Sequence, residues 1–306
     1  MRIAFFTEMG FEGKISRTHD NMRVEFAWMA NLNATHYPLG TIPNEGYDLA
    51  MMLNSKKKPN LLNIESLKSK CKVVSILQEG PNWGWQDYSL ENQIHYINNL
   101  IQSNIIFTHN KIDQKYYQGL TNHPDVRVLP SLMIEDAVEE LPEVERKNVM
   151  IGGNFVSWYG GFDSFSIAQE FECDIYSPSM GRKQPGEEQL VNQLPYMNWK
   201  QWIYKLNTFK YGVHLMRTHA AGTFALNCAY LGIPCIGYEG LDTQEICHPD
   251  TTVKLGDLKK ARDIAKELRN NEEFYIYCSK LTKEKYLENY HENKFNTTFK
   301  KQFKIS

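Results

Sequence analysis

Short runs of apolar residues, rich in Ile, Val, Phe and Met, recur along the chain. Stretches whose apolar residues return every three or four positions separate them. A run of the first kind suits a strand buried on both faces, and a stretch of the second kind suits an amphipathic helix. Residues 2–7, 47–53, 72–77, 104–108 and 126–129 read as strands. Residues 21–31 read as a helix with Asp20 as its N-cap, and residues 89–101 as a helix capped by Ser89. Residues 133–147 are acidic, hold Pro142 and show no period, as expected of a linker with a boundary near Arg146. Beyond it the alternation resumes. A strand opens at Asn148 and runs into Gly152, Gly153 and Asn154. A helix is expected over 162–171, a strand over 174–176, a helix over 198–207 capped by Asn198, and strands over 211–216 and 233–237. The tail from Gly256 is helical and charged. Strands alternating with helices predict parallel sheets in an α/β fold, with domains at 1–146 and 147–306.

Composition narrows the function classes. The 306 residues are 42% hydrophobic and 23% charged, with a formal net charge of −2. That is ordinary for a globular protein and does not suit a globally basic nucleic-acid binder. Aromatics reach 12%, enough for large cores or for sugar- and base-stacking surfaces. The six cysteines, Cys71, Cys173, Cys228, Cys235, Cys247 and Cys278, form no CxxC and no metal-ligand spacing, which predicts reduced thiols. No apolar run has membrane-spanning length and the first residues lack a signal-peptide core. A cytoplasmic protein without a bound metal is therefore expected. Lys56, Lys57 and Lys58 form the one notable charge run and read as a solvated loop.

The most informative stretch is 211–237, YGVHLMRTHAAGTFALNCAYLGIPCIG. It reads as strand, loop, helix opened by Gly222 and Thr223, a stop at Gly232, and a second strand. A helix N-terminus presents free backbone N–H groups and a positive dipole end, which suits an anion such as a diphosphate. Arg217 and His219 precede it and can add charge-assisted bonds. On spacing alone the stretch reads as an ordinary crossover unit of a parallel sheet. The helix and its Gly-Ile-Pro-Cys-Ile-Gly close resemble the donor-binding core of GT-B fold glycosyltransferases, over about residues 148–290.

That resemblance implies two Rossmann-like domains with parallel sheets facing a cleft, and a final helix that crosses back onto the first domain. It implies a nucleotide-sugar donor, a UDP-sugar by preference, with no cofactor. Donor contacts then fall on Gly152, Gly153, Asn154 and Ser157, on Tyr196 and Met197 at the base, and on Arg217, His219, Gly222, Thr223, Phe224 and Asn227. Many retaining family members carry a Glu-x7-Glu pair. Here its two positions hold His219 and Asn227, which leaves the stereochemical outcome open. Asn227 can still bond a ribose diol through its amide. Gly152 and Gly153 also read as a tight turn, and Tyr196 and Met197 as an apolar staple.

In the first half, the stretch Gln78 to Asp87 is too polar and aromatic for core and too glycine-rich for regular structure. Trp83 and Trp85 are candidates for stacking on an acceptor, or for packing on the domain face. Asp20, His19 and Glu79, in that order, are candidates for the base that activates an acceptor hydroxyl. The short, Asn- and Lys-rich chain resembles phage DNA glycosyltransferases in its compactness. A hydroxymethylated DNA base is thus one acceptor, and a glycan or small molecule the other. An epimerase of the same fold and a non-catalytic two-domain binder are the rival readings.

Overall fold

The computed structural model describes residues 1–179 and 183–303. It divides into two compact units. The first holds Met1–His19, Arg23–Pro130 and His219–Ala221; the second holds Asp20–Met22, Ser131–Thr218 and the rest of the chain from Gly222. The two are therefore interleaved in sequence at two short excursions.

The first unit is a six-stranded parallel sheet. Its strands are β1 (Ile3–Thr7), β2 (Thr35–Pro38), β3 (Tyr47–Leu53), β4 (Cys71–Leu77), β5 (Ile105–Thr108) and β6 (Val126–Val128), in spatial order β2-β1-β3-β4-β5-β6. Helices α1 (Val24–Asn31), α2 (Ile64–Lys68), α3 (Leu90–Gln102) and α4 (Lys111–Thr121) connect them. Nearly every residue of β1, β3 and β5 is buried, as strands covered on both faces require. Ser89 caps α3 by accepting from the Asn92 N–H at 3.3 Å.

The second unit is also a six-stranded parallel sheet, of β7 (Lys147–Ile151), β8 (Ile175–Ser177), β9 (Asn192–Gln193), β10 (Phe209–His214), β11 (Cys235–Tyr238) and β12 (Thr252–Val253). Their spatial order is β12-β11-β10-β7-β8-β9. Counted within the unit this is 6-5-4-1-2-3, the dinucleotide-fold order, whereas the first unit follows the related 2-1-3-4-5-6 pattern. Its helices are α5 (Gly161–Ala168), α6 (Trp199–Leu206), α7 (Thr223–Leu231), α8 (Asp242–Cys247), α9 (Leu258–Asn270), α10 (Glu272–Asn289) and α11 (Glu292–Gln302). Asn198 and Gln201 form a reciprocal capping box on α6. The α/β architecture with two parallel sheets is thus as the sequence predicts.

Two local expectations change. α1 starts at Val24 with Arg23 at the N-cap position, so Asp20 caps nothing. The Asp20 carbonyl instead accepts from the Lys200 N–H at 2.9 Å, which draws the preceding turn out of the helix. Residues 133–147 are tied into the second unit rather than left as a loose linker. Glu135 accepts from the Tyr286 hydroxyl at 2.9 Å. Arg146 donates to the Asn207 and Leu231 carbonyls at 3.1 and 2.7 Å. Five of the six cysteines are buried and all are free thiols.

Candidate functional site

In sheets of this type ligands bind beyond the C-terminal strand ends where strand order reverses. In the second unit that point lies between β7 and β10. Gly152 and Gly153 leave β7 there. The Gly152 N–H bonds the Val213 carbonyl at 2.8 Å, and a Cβ on it would meet His214 Cγ at 2.4 Å. A Cβ on Gly153 would meet Tyr159 Cβ at 2.6 Å. Both glycines are therefore required by packing, whatever else they touch. Asn154 is buried and its Oδ1 accepts from the Val156 N–H at 3.2 Å, shaping the turn. Ser157 is exposed at the head of a 3-10 turn. Tyr196 is largely exposed and Met197 half-buried beside the α6 cap.

β10 ends at His214, and Arg217 follows. Its guanidinium reaches both Nε and Nη2 to Asp163 of α5, at 3.1 and 2.9 Å, and its side chain stays mostly exposed. Tyr238 donates to the same carboxylate at 3.2 Å. Asp163 thus holds Arg217 in place and raises its affinity for its proton further. Gly222 is the N-cap of α7, with φ +64° and no side-chain cap on the helix. A Cβ there would lie 2.0 Å from Thr243 Oγ1, so only glycine fits. The first turn carries Thr223, exposed, and Phe224, buried. One turn on, on the same face, Asn227 is 4% exposed, and among the described residues nothing hydrogen-bonds its amide.

His214 gave no signal in the sequence, where it sits inside an apolar strand. It is buried, stands edge-on to Phe224 with centroids 5.4 Å apart, and neither ring nitrogen has a partner. Burial pushes its imidazole down to about 4, so it is neutral.

His219 belongs to the first unit, not with the other expected donor residues. Its backbone carbonyl packs where a Cβ on Gly80 would lie, at 1.8 Å, and its ring acts electrostatically on Asp113. Asn110 donates to the Ala220 carbonyl at 2.7 Å. Around this excursion the strand ends of the first unit gather polar groups. The Lys56 ammonium donates to the Gly80 and Pro81 carbonyls at 2.9 and 3.2 Å, and burial pulls its proton affinity down. Asp113 accepts from Asn82 and Asn110 at 3.1 and 3.0 Å, and burial pushes its carboxyl up. Ser55 donates to Glu8.

Glu79 stands just past β4. Its residue surface is exposed, while the protein packed around its carboxyl pushes that group's proton affinity up, with the neighbouring Glu25 next. Glu25 in turn pairs with Arg23 at 3.2 Å. In sequence Glu25 reads as an ordinary acid in a helix's first turn, and only the fold brings it to Glu79. His19 packs edge-on to Phe26 at 4.9 Å, and Asp20 is exposed in the second unit's excursion. The structure therefore groups Glu79, but not Asp20, with the first unit's charged cluster.

The two indoles separate. Trp83 is 39% exposed. Trp85 is buried in the core and stacks on Tyr96 with centroids 5.6 Å apart and planes 8° apart. Trp85 is thus no acceptor platform, because its ring face is already spent on Tyr96. Among the described residues no helix is long and apolar enough to cross a membrane, and no group of three His, Cys, Asp or Glu side chains could hold a metal ion.

No protein-family model and no curated protein sequence matches this chain. Solved structures do. Anabaena HepE in complex with UDP and glucose superposes with a TM-score of 0.68 at 9% identity, over 100% of both chains. S. aureus TarM, in complex with Fondaparinux, alpha-GlcNAc-glycerol and UDP, gives 0.65 at 8% identity, over 83% of this chain and 55% of that one. Sucrose-phosphate synthase from Thermosynechococcus elongatus gives 0.64 at 10% identity, over 85% and 75%. The chain thus spans little more than half the length of TarM. With two parallel-sheet units and these likenesses, it has the α/β fold of the GT-B glycosyltransferases.

Proposed function

We propose that this protein transfers a glycosyl group from a nucleotide sugar, a UDP-sugar by preference, to an acceptor hydroxyl. The observation that carries this is the uncapped N-terminus of α7 with the unpartnered amide of Asn227 one turn behind it. Helix amides and Arg217 suit a diphosphate, and a carboxamide that both donates and accepts suits a ribose diol. UDP or UDP-glucose in the complexes of HepE supports the choice of donor. Thr223 and Phe224 would offer first-turn amides, Ser157 a hydroxyl, and Tyr196 and Met197 a wall for the base. The leaving diphosphate would be stabilised by these dipoles and by Arg217, without a metal.

The acceptor hydroxyl would lose its proton to Glu79, His19 or Asp20. Glu79 leads here because its carboxyl is held above the ordinary carboxylate range, where a base is more effective near neutrality. A glycan or small-molecule acceptor is favoured over a hydroxymethylated DNA base, since the burial of Trp85 leaves Trp83 as the lone exposed indole of its loop.

Calorimetry with UDP and a panel of UDP-sugars is the test. Asn227→Ala and Arg217→Ala should each weaken donor binding, Asn227→Ala by about 1–3 kcal/mol. Unchanged affinity in both variants would discard this placement. Sugar transfer should continue in excess chelator. Turnover of the sugar nucleotide without any acceptor product would favour the epimerase reading, and binding without turnover a binder.

A further inference from the structure

We propose that His214 is a further donor-binding residue, whose imidazole gives its N–H to the diphosphate of the sugar nucleotide. The inference rests on the glycosyl-transfer reading and adds a residue to its donor site. Every residue it uses there belongs to the second unit.

Three observations carry it. His214 is the last residue of β10, at the C-terminal sheet edge where strand order reverses. Its ring packs against the two elements of that edge that suit an anion. Gly152, where the chain leaves β7, gives the ring its room: a Cβ there would lie 2.4 Å from His214 Cγ and 2.7 Å from its Cδ2. Phe224, in the first turn of α7, stands edge-on to it with centroids 5.4 Å apart, and α7 opens on Gly222 with no side-chain cap. Finally, His214 is 7% exposed, yet neither Nδ1 nor Nε2 has a partner.

Other buried histidines show what this fold ordinarily does with such a ring. His36 pairs with the Thr7 hydroxyl at 2.9 Å and the Phe11 carbonyl at 2.7 Å. His123 pairs with the Ser103 carbonyl at 3.0 Å and the Asp125 N–H at 3.1 Å. His248 pairs with the Ala225 carbonyl at 2.9 Å and the Thr282 hydroxyl at 2.8 Å. His109 leaves Nδ1 unpaired, but its ring is stacked on Trp28 within the first unit. His214 has both nitrogens open at the edge where a ligand is expected. A buried polar group left unpaired is costly, and a ligand that completes it recovers that cost.

Burial keeps the ring neutral, with one N–H and one lone pair. The N–H can bond a phosphate oxygen without a second buried charge to desolvate. The other nitrogen is left to accept from a hydroxyl or water. No proton is transferred. As the bond from the anomeric carbon to the diphosphate breaks, charge builds on the leaving group and this hydrogen bond strengthens. The contact therefore serves turnover as well as binding.

The experiment is 15N NMR of the histidine ring nitrogens in the wild type, titrated with UDP, inorganic pyrophosphate and uridine, together with calorimetry on variants. UDP and pyrophosphate should shift one His214 nitrogen, and uridine should not. His214→Phe keeps the ring packing and removes both nitrogens. It should weaken UDP binding about tenfold or more and leave uridine binding within about twofold. Its urea midpoint should be unchanged or higher, because the unpaired nitrogens are gone. A structural role would instead lower the midpoint and weaken both ligands alike. Either His214→Asn or His214→Gln, whose amides stand near Nδ1 and Nε2, should recover part of the UDP affinity. If UDP saturates the protein while the His214 nitrogens stay unmoved, His214 is no donor contact and the transfer reading stands. If no UDP-sugar binds and no sugar is transferred, the transfer reading falls and His214 loses this role with it.

Discussion

Replacing Gly222 by alanine isolates what the fold spends to open the N-terminus of α7. Two costs can be read from the structure. The residue sits at φ +64° and ψ 31°, where an L side chain loses about 1–2 kcal/mol. The new Cβ would also lie 2.0 Å from Thr243 Oγ1. That hydroxyl is buried and donates to the Gly222 carbonyl at 3.0 Å. To make room it must rotate away, leaving a buried polar group unpaired at a cost of about 1–3 kcal/mol. The sum is about 2–5 kcal/mol, or a drop in Tm of roughly 4–20 °C for a unit of this size. Thr243→Ala alone removes the bond and a methyl and should cost about 1–2 kcal/mol. In the double variant the clash is gone, so its cost should fall short of the sum of the single costs by about 1–3 kcal/mol. Urea unfolding of the three variants measures each quantity. A cost below about 1 kcal/mol for Gly222→Ala, or strict additivity, would refute the account.

Trp85→Ala should lose about 3–5 kcal/mol of stability, as truncation of a core aromatic does. Trp83→Ala should stay within about 1 kcal/mol; equal losses in the same urea titration would contradict the separation of the two indoles. His109, His214 and His248 are all buried neutral, each pushed down to about 4. In the unfolded chain they take up protons near pH 6.5. Their contribution is therefore complete above that value and is lost as pH falls from about 6.5 towards about 4, where the unfolded chain binds more protons. Unfolding free energy should decline steeply over that window, and His214→Phe should flatten part of the decline. A flat pH dependence between those values would exclude buried neutral imidazoles.

Much of the fold is legible in the sequence because burial on both faces writes strands as plain apolar runs. Ser89 and Asn198 announce their helices because a side-chain cap is a local device. Gly222 and Gly232 mark α7 for the same reason, each taking a left-handed conformation at an end of the helix. What stays hidden depends on partners far along the chain. Nothing near Asp20 shows that its carbonyl will meet the Lys200 N–H, so the helix is read three residues too early. α4 is missed because its apolar positions are sparse and its buried face includes Asp113 as well as Tyr117. Trp85 stands in a polar loop and looks like a surface indole until Tyr96 of α3 comes to meet it. His214 is hidden too, masked by the apolar strand around it.

The two excursions, Asp20–Met22 and His219–Ala221, bear on modularity. Neither unit corresponds to an uninterrupted length of chain, so no single cut releases both intact. A first half ending at Pro130 would lack the backbone that fills the space over Gly80. A second half grafted onto a foreign partner would carry His219–Ala221 with it, and their carbonyl needs a residue without a side chain to rest on. Gly80 is therefore a compatibility key. Chimeras that keep glycine at the matching place in the recipient should assemble, whereas recipients with any larger residue there should reject the graft.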